Sequence, residues 1–254
     1  MRRLNPVRQN PKLEGSLLID CIPQTGQCPN GCLECYYNGG GFFTDKKLSL
    51  IPTIEEVGDR IVRVNSGHDS NIQKDMVLKV TEKYPKKFYN TSLPNFDFPA
   101  PVVFTCNGRD TDFSAMMVVK NLRNVMAVRF RTNLWNLDLL DEVISFYTVQ
   151  HGVPVTITFM RYTDISNIPE EYRKYYELRK SILNVYYCLN KDKQKELSES
   201  YSGPYQDAKT GQRMVGMCGT PESSFCRDCH RCVWAYNKNI HEHVWDEVLV
   251  SIGA

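Results

Sequence analysis

The run Ser16-Leu17-Leu18-Ile19-Asp20-Cys21, followed by Cys28-Pro29-Asn30-Gly31-Cys32-Leu33-Glu34-Cys35, decides how the chain is read. The first segment is an apolar, strand-like run, and the second sets three thiols at a three-then-two spacing directly after it. Three thiolates can hold a cubane iron-sulfur cluster and leave its fourth iron open to a substrate or cofactor. An iron held wholly by protein thiolates mainly moves electrons. Cys32 and Cys35 alone would equally serve as half of a zinc site, whereas a closed zinc site on the whole triplet needs a fourth ligand, for which Cys21 is the obvious local candidate.

Composition bounds what such a site can serve. A chain of 254 residues with 42% hydrophobic residues can bury one sizeable core, so one main domain with an appendage is expected. A net charge of +2 gives no global electrostatic case for nucleic acid. No apolar run approaches the ~18 residues of a membrane span, and Met1-Arg2-Arg3-Leu4-Asn5 is not followed by the apolar stretch of a signal peptide, so a cytoplasmic protein without a membrane partner is expected. Seven of the ten Cys fall in two tight clusters, which favours metal binding over disulfides. Cys21, Cys106 and Cys188 sit in apolar segments and read as buried free thiols.

Outward from the first run, strands and helices alternate. A Gly-rich bend, Asn38-Gly39-Gly40-Gly41, precedes Thr53-Ile54-Glu55-Glu56-Val57, a capping-box helix start expected to lead on to Ile61, Val62 and Val64. Strands are expected at 101–106, 125–130, 153–159 and 182–189, with helices through Met116 to Leu122, from Leu137 to Val149, and from Glu170 to Arg179. Residues 68–99 read as an insertion in which Lys74, Lys79, Lys83, Lys86 and Lys87 interleave with Tyr84, Phe88 and Tyr89. That pattern suits either a nucleic-acid track or an amphipathic helix with Ile72, Met76, Val77 and Val80 inward. Five βα-like units imply an α/β fold with a parallel sheet, either doubly wound or a complete or partial βα barrel. Both place chemistry beyond the carboxyl ends of the strands.

The CxxxCxxC run after a first strand, with the Gly-rich bend and repeating βα units, resembles the radical S-adenosylmethionine superfamily. The resemblance implies a partial (β/α) barrel of five to six βα units over residues 16–200, after an N-terminal extension at 1–15. It implies that Cys28, Cys32 and Cys35 bind a 4Fe-4S cluster whose open iron takes the amino and carboxylate groups of S-adenosylmethionine. Reductive cleavage, fed by a flavodoxin or ferredoxin, would give a 5′-deoxyadenosyl radical acting on a peptide, a nucleic acid or a small molecule. In that family a Gly-Gly-Glu-like loop after the second strand contacts the methionine amino group. Here Thr105-Cys106-Asn107-Gly108-Arg109-Asp110 is read in its place, which puts Asn107 and Gly108 near that group. Arg131, Asn133, Thr158 and Arg161 are expected near the carboxylate and ribose, and Tyr36 against the adenine. Glu34 stands where the family usually has an aromatic or apolar residue.

Residues 201–254 form a Cys-rich C-terminal region in which Cys218, Cys226, Cys229 and Cys232 complete a four-thiol set. Its last three Cys repeat the spacing of bacterial ferredoxin runs, which favours an auxiliary 4Fe-4S cluster over a structural zinc. His230 lies within this run and reads as a residue outside the ligand set, and the two-residue offset of His241 and His243 on a helix would point them apart. P-loop, nucleophile-elbow and dinucleotide fingerprints are absent, which argues against nucleotide hydrolysis, serine hydrolase and nicotinamide chemistry. The competing class is a non-enzymatic, zinc-stabilised nucleic-acid-binding module.

Overall fold

The computed structural model describes residues 9–24, 31–32, 35, 49–107, 117, 119–180, 185–220 and 222–252. Seven strands form one parallel sheet: β1 (Leu18–Cys21), β2 (Ile61–Val64), β3 (Lys87–Thr91), β4 (Val102–Asn107), β5 (Val125–Thr132), β6 (Val155–Phe159) and β9 (Val215–Met217). Between β6 and β9, the strands β7 (Tyr176–Lys180) and β8 (Val185–Leu189) pair as a separate antiparallel ribbon. Spatial order along the main sheet follows chain order, β1-β2-β3-β4-β5-β6-β9. A doubly wound sheet needs a point where that order reverses. With right-handed crossovers and no reversal, every connection falls on the same face, and the sheet curls into a half-barrel.

The two faces carry different residues because strand side chains alternate. Toward the connections point Ile19, Val62, Val64, Tyr89, Phe104, Val128, Phe130, Val155 and Ile157. They pack with Val77 of α2 (Lys74–Thr81) and with Leu140 and Val143 of α3 (Leu137–Val143), whose π-helical continuation adds Ile144 and Tyr147. The short α1 (Ile54–Val57) lies between β1 and β2. On the opposite, inner face Leu18, Ile61, Phe88, Val103, Met126 and Ala127 form a second cluster with Leu13 of a 3-10 turn, Pro11–Leu13, and with Ala235 and Tyr236 of the long helix α6 (Arg231–Ile252). A fully buried Phe or Leu in either cluster contributes about 1.5–3 kcal/mol.

The structure corrects several expected elements. The capping box at Thr53 is formed, but α1 ends at Gly58 (φ 54°), and Ile61–Val64 is strand β2. Residues 68–99 are not an insertion: they supply α2 and β3, a regular unit of the sheet. Tyr84, Phe88 and Tyr89 are fully buried there, so these aromatics are core and offer no stacking platform for bases. At the end of the helix expected through Leu122 there is a 3-10 turn, Leu122–Asn124, while residues 108–116 lie outside the described residues. Glu170–Tyr175 is a 3-10 helix that runs into β7, and the strand expected at 182–189 is β8, outside the main sheet. The boundary expected at residue 200 falls within α4 (Lys191–Ser202), and the chain beyond it returns to the sheet as β9 before α5 (Cys226–Cys229) and α6. Among the described residues, no helix is long and apolar enough to cross a membrane.

Arg231 anchors α6 to the sheet. Its guanidinium donates to the carbonyls of Val155 (3.0 Å), Met214 (3.1 Å) and Arg213 (3.2 Å), and to Thr156 Oγ1 (3.4 Å). It occupies the space that a Cβ on Gly216 would need. Gly216→Ala should therefore destabilise the fold by about 1–3 kcal/mol through overpacking, read as a lower urea midpoint with an unchanged m-value.

Candidate metal and cofactor site

The parallel register sets Asn107 at the end of β4 opposite Arg131 of β5, and Arg131 opposite Thr158 of β6. These three residues form one polar row at the carboxyl edge, two residues beyond a second row of Thr105, Arg129 and Thr156. Arg131 Nη1 donates to Asn107 Oδ1 at 2.9 Å, and Asn107 Nδ2 in turn donates to Cys32 Sγ at 3.5 Å. The structure thus brings one thiol of the first cluster to the ends of the central strands. Cys35 is half-buried, and Cys28, Tyr36 and Gly108 lie outside the described residues.

Beside this row, Asn133 is fully buried. Its Oδ1 accepts from the Trp135 N–H at 3.1 Å, while its Nδ2 finds no hydrogen-bond partner among the described residues. Thr158 Oγ1 is likewise buried without a partner there. Buried polar atoms are normally satisfied, so these two groups have hydrogen-bonding capacity to offer beside the row of strand ends. Arg161 is placed differently: its guanidinium stacks on Tyr186 of β8, 4.6 Å from the ring centroid.

The sequence reading missed the loop after β2. The second strand is Ile61–Val64, so the loop in which the resemblance expects the amino-group contact is residues 65–70, and Asn107 ends the fourth strand instead. Asn65 and Gly67 have positive φ (57° and 107°), which turns the chain sharply here. Asp69 is a fixed acceptor: Oδ1 takes the Asn71 N–H (2.9 Å) and Thr91 Oγ1 (2.8 Å), and Oδ2 takes the N–H (2.6 Å) and hydroxyl (2.8 Å) of Ser92. The Asp69 N–H donates to His68 Nδ1 at 3.0 Å, which assigns the proton of the neutral ring to Nε2, and burial holds this imidazole below its ordinary pKa. Gln24, at the entrance to the Cys loop, donates Nε2 to the carbonyls of Asp69 (3.1 Å) and Ile72 (2.7 Å). Gln24 Oε1 and Asn65 Oδ1 are buried acceptors with no partner among the described residues. The signal was the polar run Asn65-Ser66-Gly67-His68-Asp69-Ser70-Asn71 itself, seven non-apolar residues that the fold nevertheless keeps largely buried.

The second Cys set follows β9. The Cys218 N–H continues the sheet pairing by donating to Ile157 O (2.8 Å), and the Gly219 N–H donates to Cys229 Sγ (3.4 Å). Burial raises the Cys226 thiol to about 11, with Arg63 opposing and Cys232, Cys218 and Cys229 adding to the rise. Burial also raises Cys229, and Cys218 and Cys232 push it the same way. Cys226 and Cys229 lie on one short helix, α5, and Cys226 and Cys232 pack against the inner apolar cluster. Among the described residues, no three Cys, His, Asp or Glu side chains converge closely enough to hold a metal ion. One feature of the donor set would suit a metal: an N–H···S bond such as that from Gly219 to Cys229 is a usual support of a metal thiolate.

Near the other edge of the sheet order, Arg63 of β2 forms a two-pronged pair with Asp20 of β1, Nε to Oδ1 at 2.6 Å and Nη2 to Oδ2 at 3.1 Å, with both side chains buried. A cavity of about 310 Å³ lies at the other end of the sheet, lined by Arg123, His151, Val153, Lys238 and Asn239. It is remote from the strand ends, and its Lys238 is tied to Asp207 at 3.0 Å. No protein-family profile, no curated protein and no solved structure matches the chain.

Arg63→Met would leave the Asp20 carboxylate buried without its partner, which should cost about 3–5 kcal/mol. Chemical denaturation checks this, and the double substitution Asp20→Leu/Arg63→Met should recover most of the loss.

Proposed function

We propose that this chain is a radical S-adenosylmethionine enzyme built on a partial (β/α) barrel, with Cys28, Cys32 and Cys35 holding a 4Fe-4S cluster. The observation that carries the reading is the contact of Cys32 with Asn107 and, through it, Arg131, at the carboxyl edge of a parallel sheet wound in one direction. A cluster held by three thiolates supplies an iron that can take S-adenosylmethionine and, once reduced by a flavodoxin or ferredoxin, release a 5′-deoxyadenosyl radical.

The unmatched groups on the two sides of the mouth complement that ligand. Gln24 Oε1 and Asn65 Oδ1 are acceptors suited to the methionine ammonium, which moves that role from Asn107 and Gly108 to the segments after β1 and β2. Asn133 Nδ2 and Thr158 Oγ1 are donors suited to the carboxylate and ribose, with Arg131 adding fixed positive charge. Tyr36 remains the candidate for the adenine on the resemblance alone. Arg161 stacks on Tyr186 of the antiparallel ribbon and is left out of this shell. Cys218, Cys226, Cys229 and Cys232 would hold an auxiliary 4Fe-4S cluster or a zinc ion as a closed site. The rival reading as a nucleic-acid-binding module loses support because the aromatics of its basic segment are in the core.

Anaerobic reconstitution with iron and sulfide tests the proposal. The protein should turn brown, bind S-adenosylmethionine and, when reduced, release 5′-deoxyadenosine and methionine. Replacing Cys28, Cys32 and Cys35 together by Ala should remove about four iron atoms per chain and abolish cleavage, while tail metal persists. A wild-type protein that takes up only zinc, or holds iron without cleaving S-adenosylmethionine, would overturn the reading.

A further inference from the structure

We infer that Asn107 is a positioning residue that raises the reduction potential of the cluster at Cys28, Cys32 and Cys35, through a hydrogen bond to Cys32 whose direction Arg131 fixes. This rests on the function proposed above and assigns Asn107 a part separate from S-adenosylmethionine binding.

A primary amide beside a sulfur can present either its oxygen or its N–H group, and only the second stabilises negative charge. Here Arg131 decides. Its guanidinium has donors and no acceptor, so the 2.9 Å contact from Nη1 requires Oδ1 on the arginine side. Nδ2 is then the atom left to face Cys32 Sγ at 3.5 Å. The cation also polarises the amide, which strengthens the N–H as a donor. Both residues are held by the sheet itself, since Asn107 and Arg131 are register partners on adjacent strands. The dipole is therefore in place before any charge arrives.

Adding one electron to the cluster increases the negative charge on its thiolate sulfurs. An N–H···S bond, with a guanidinium behind it, stabilises the reduced form more than the oxidised form. Hydrogen bonds to ligand sulfurs are among the determinants that set iron-sulfur potentials. The step is a one-electron reduction by an external low-potential donor, and no proton or leaving group moves.

The test is an EPR-monitored redox titration of the reconstituted full chain. The signal of interest is the part missing from the Cys28→Ala/Cys32→Ala/Cys35→Ala protein, which separates it from any tail cluster. Asn107→Leu removes the donor and should disfavour reduction about tenfold, a drop of about 59 mV for a one-electron couple. Asn107→Asp keeps the size of the side chain and its pairing with Arg131 but faces the sulfur with a carboxylate, so it should lower the potential further. It also serves if the Leu variant does not fold. Potentials unchanged in both variants would overturn this inference while leaving the proposed function standing. A wild-type signal identical to that of the triple variant would mean that the triplet holds no cluster, and both would fall.

Discussion

Winding in one direction governs the rest of this structure. Because the seven strands lie in chain order, the connections cover only one face of the curled sheet, and the other must be covered by something that is not a βα connection. The chain uses its own ends: Leu13 from the N-terminal turn and Ala235 and Tyr236 from α6 complete the inner apolar cluster. Several of the polar residues that point inward are tied down in pairs. Asp20 binds Arg63, Asn90 accepts from Arg129 at 3.4 Å, Asn107 accepts from Arg131, and the backbone around Gly216 receives Arg231. Buried charge is costly unless paired, so these links fix the positions of the very residues that frame the mouth.

Much of the sheet was legible because its strands are short apolar runs between turn signals. Leu18–Cys21, Val102–Asn107, Val125–Thr132 and Val155–Phe159 all fall within or close to the segments that periodicity predicts. The failures share a cause. The capping box at Thr53 predicts a helix that runs on to Val64, but β-branched residues after the positive-φ Gly58 favour a new strand, Ile61–Val64. Tyr176-Glu177-Leu178-Arg179-Lys180 alternates its exposure like a strand, but its charged residues read as a helix. Losing β2 and β3 from the count made a regular unit look like an insertion, and shifted the loop after the second strand from residue 65 to residue 107.

The candidate site was legible in its thiols and less so in its polar shell. A Cys spacing is a local pattern, whereas the meeting of Cys32, Asn107 and Arg131 is created by strand register across distant segments. Asn65 and Asp69 stand in a visible polar run, but polar residues in a loop are expected to be solvated, so neither the run nor Gln24 marks a site by itself. Only the fold shows that these are buried.

The tail thiols bear on how an open half-barrel holds its shape. β1 and β9 are the two ends of the sheet order and are not paired with each other. The segments that lead into β1 and out of β9 nonetheless meet: α5 packs on the Pro11–Leu13 turn, and Arg227 donates to Glu14 O at 3.5 Å. Two of the four thiols, Cys226 and Cys229, are the ends of that short helix, and a third, Cys218, hydrogen-bonds through its backbone to Ile157 of β6. A helix of four residues has little stability of its own, because nucleation is unfavourable and few hydrogen bonds follow it. On the reading proposed above, a metal bound by these thiols would fasten α5 to β9 and so hold the N-terminal turn against the far edge of the sheet. Metal binding energy would then be folding energy for the closure of the inner face, and the tail site would support the mouth through the fold whether it holds iron or zinc.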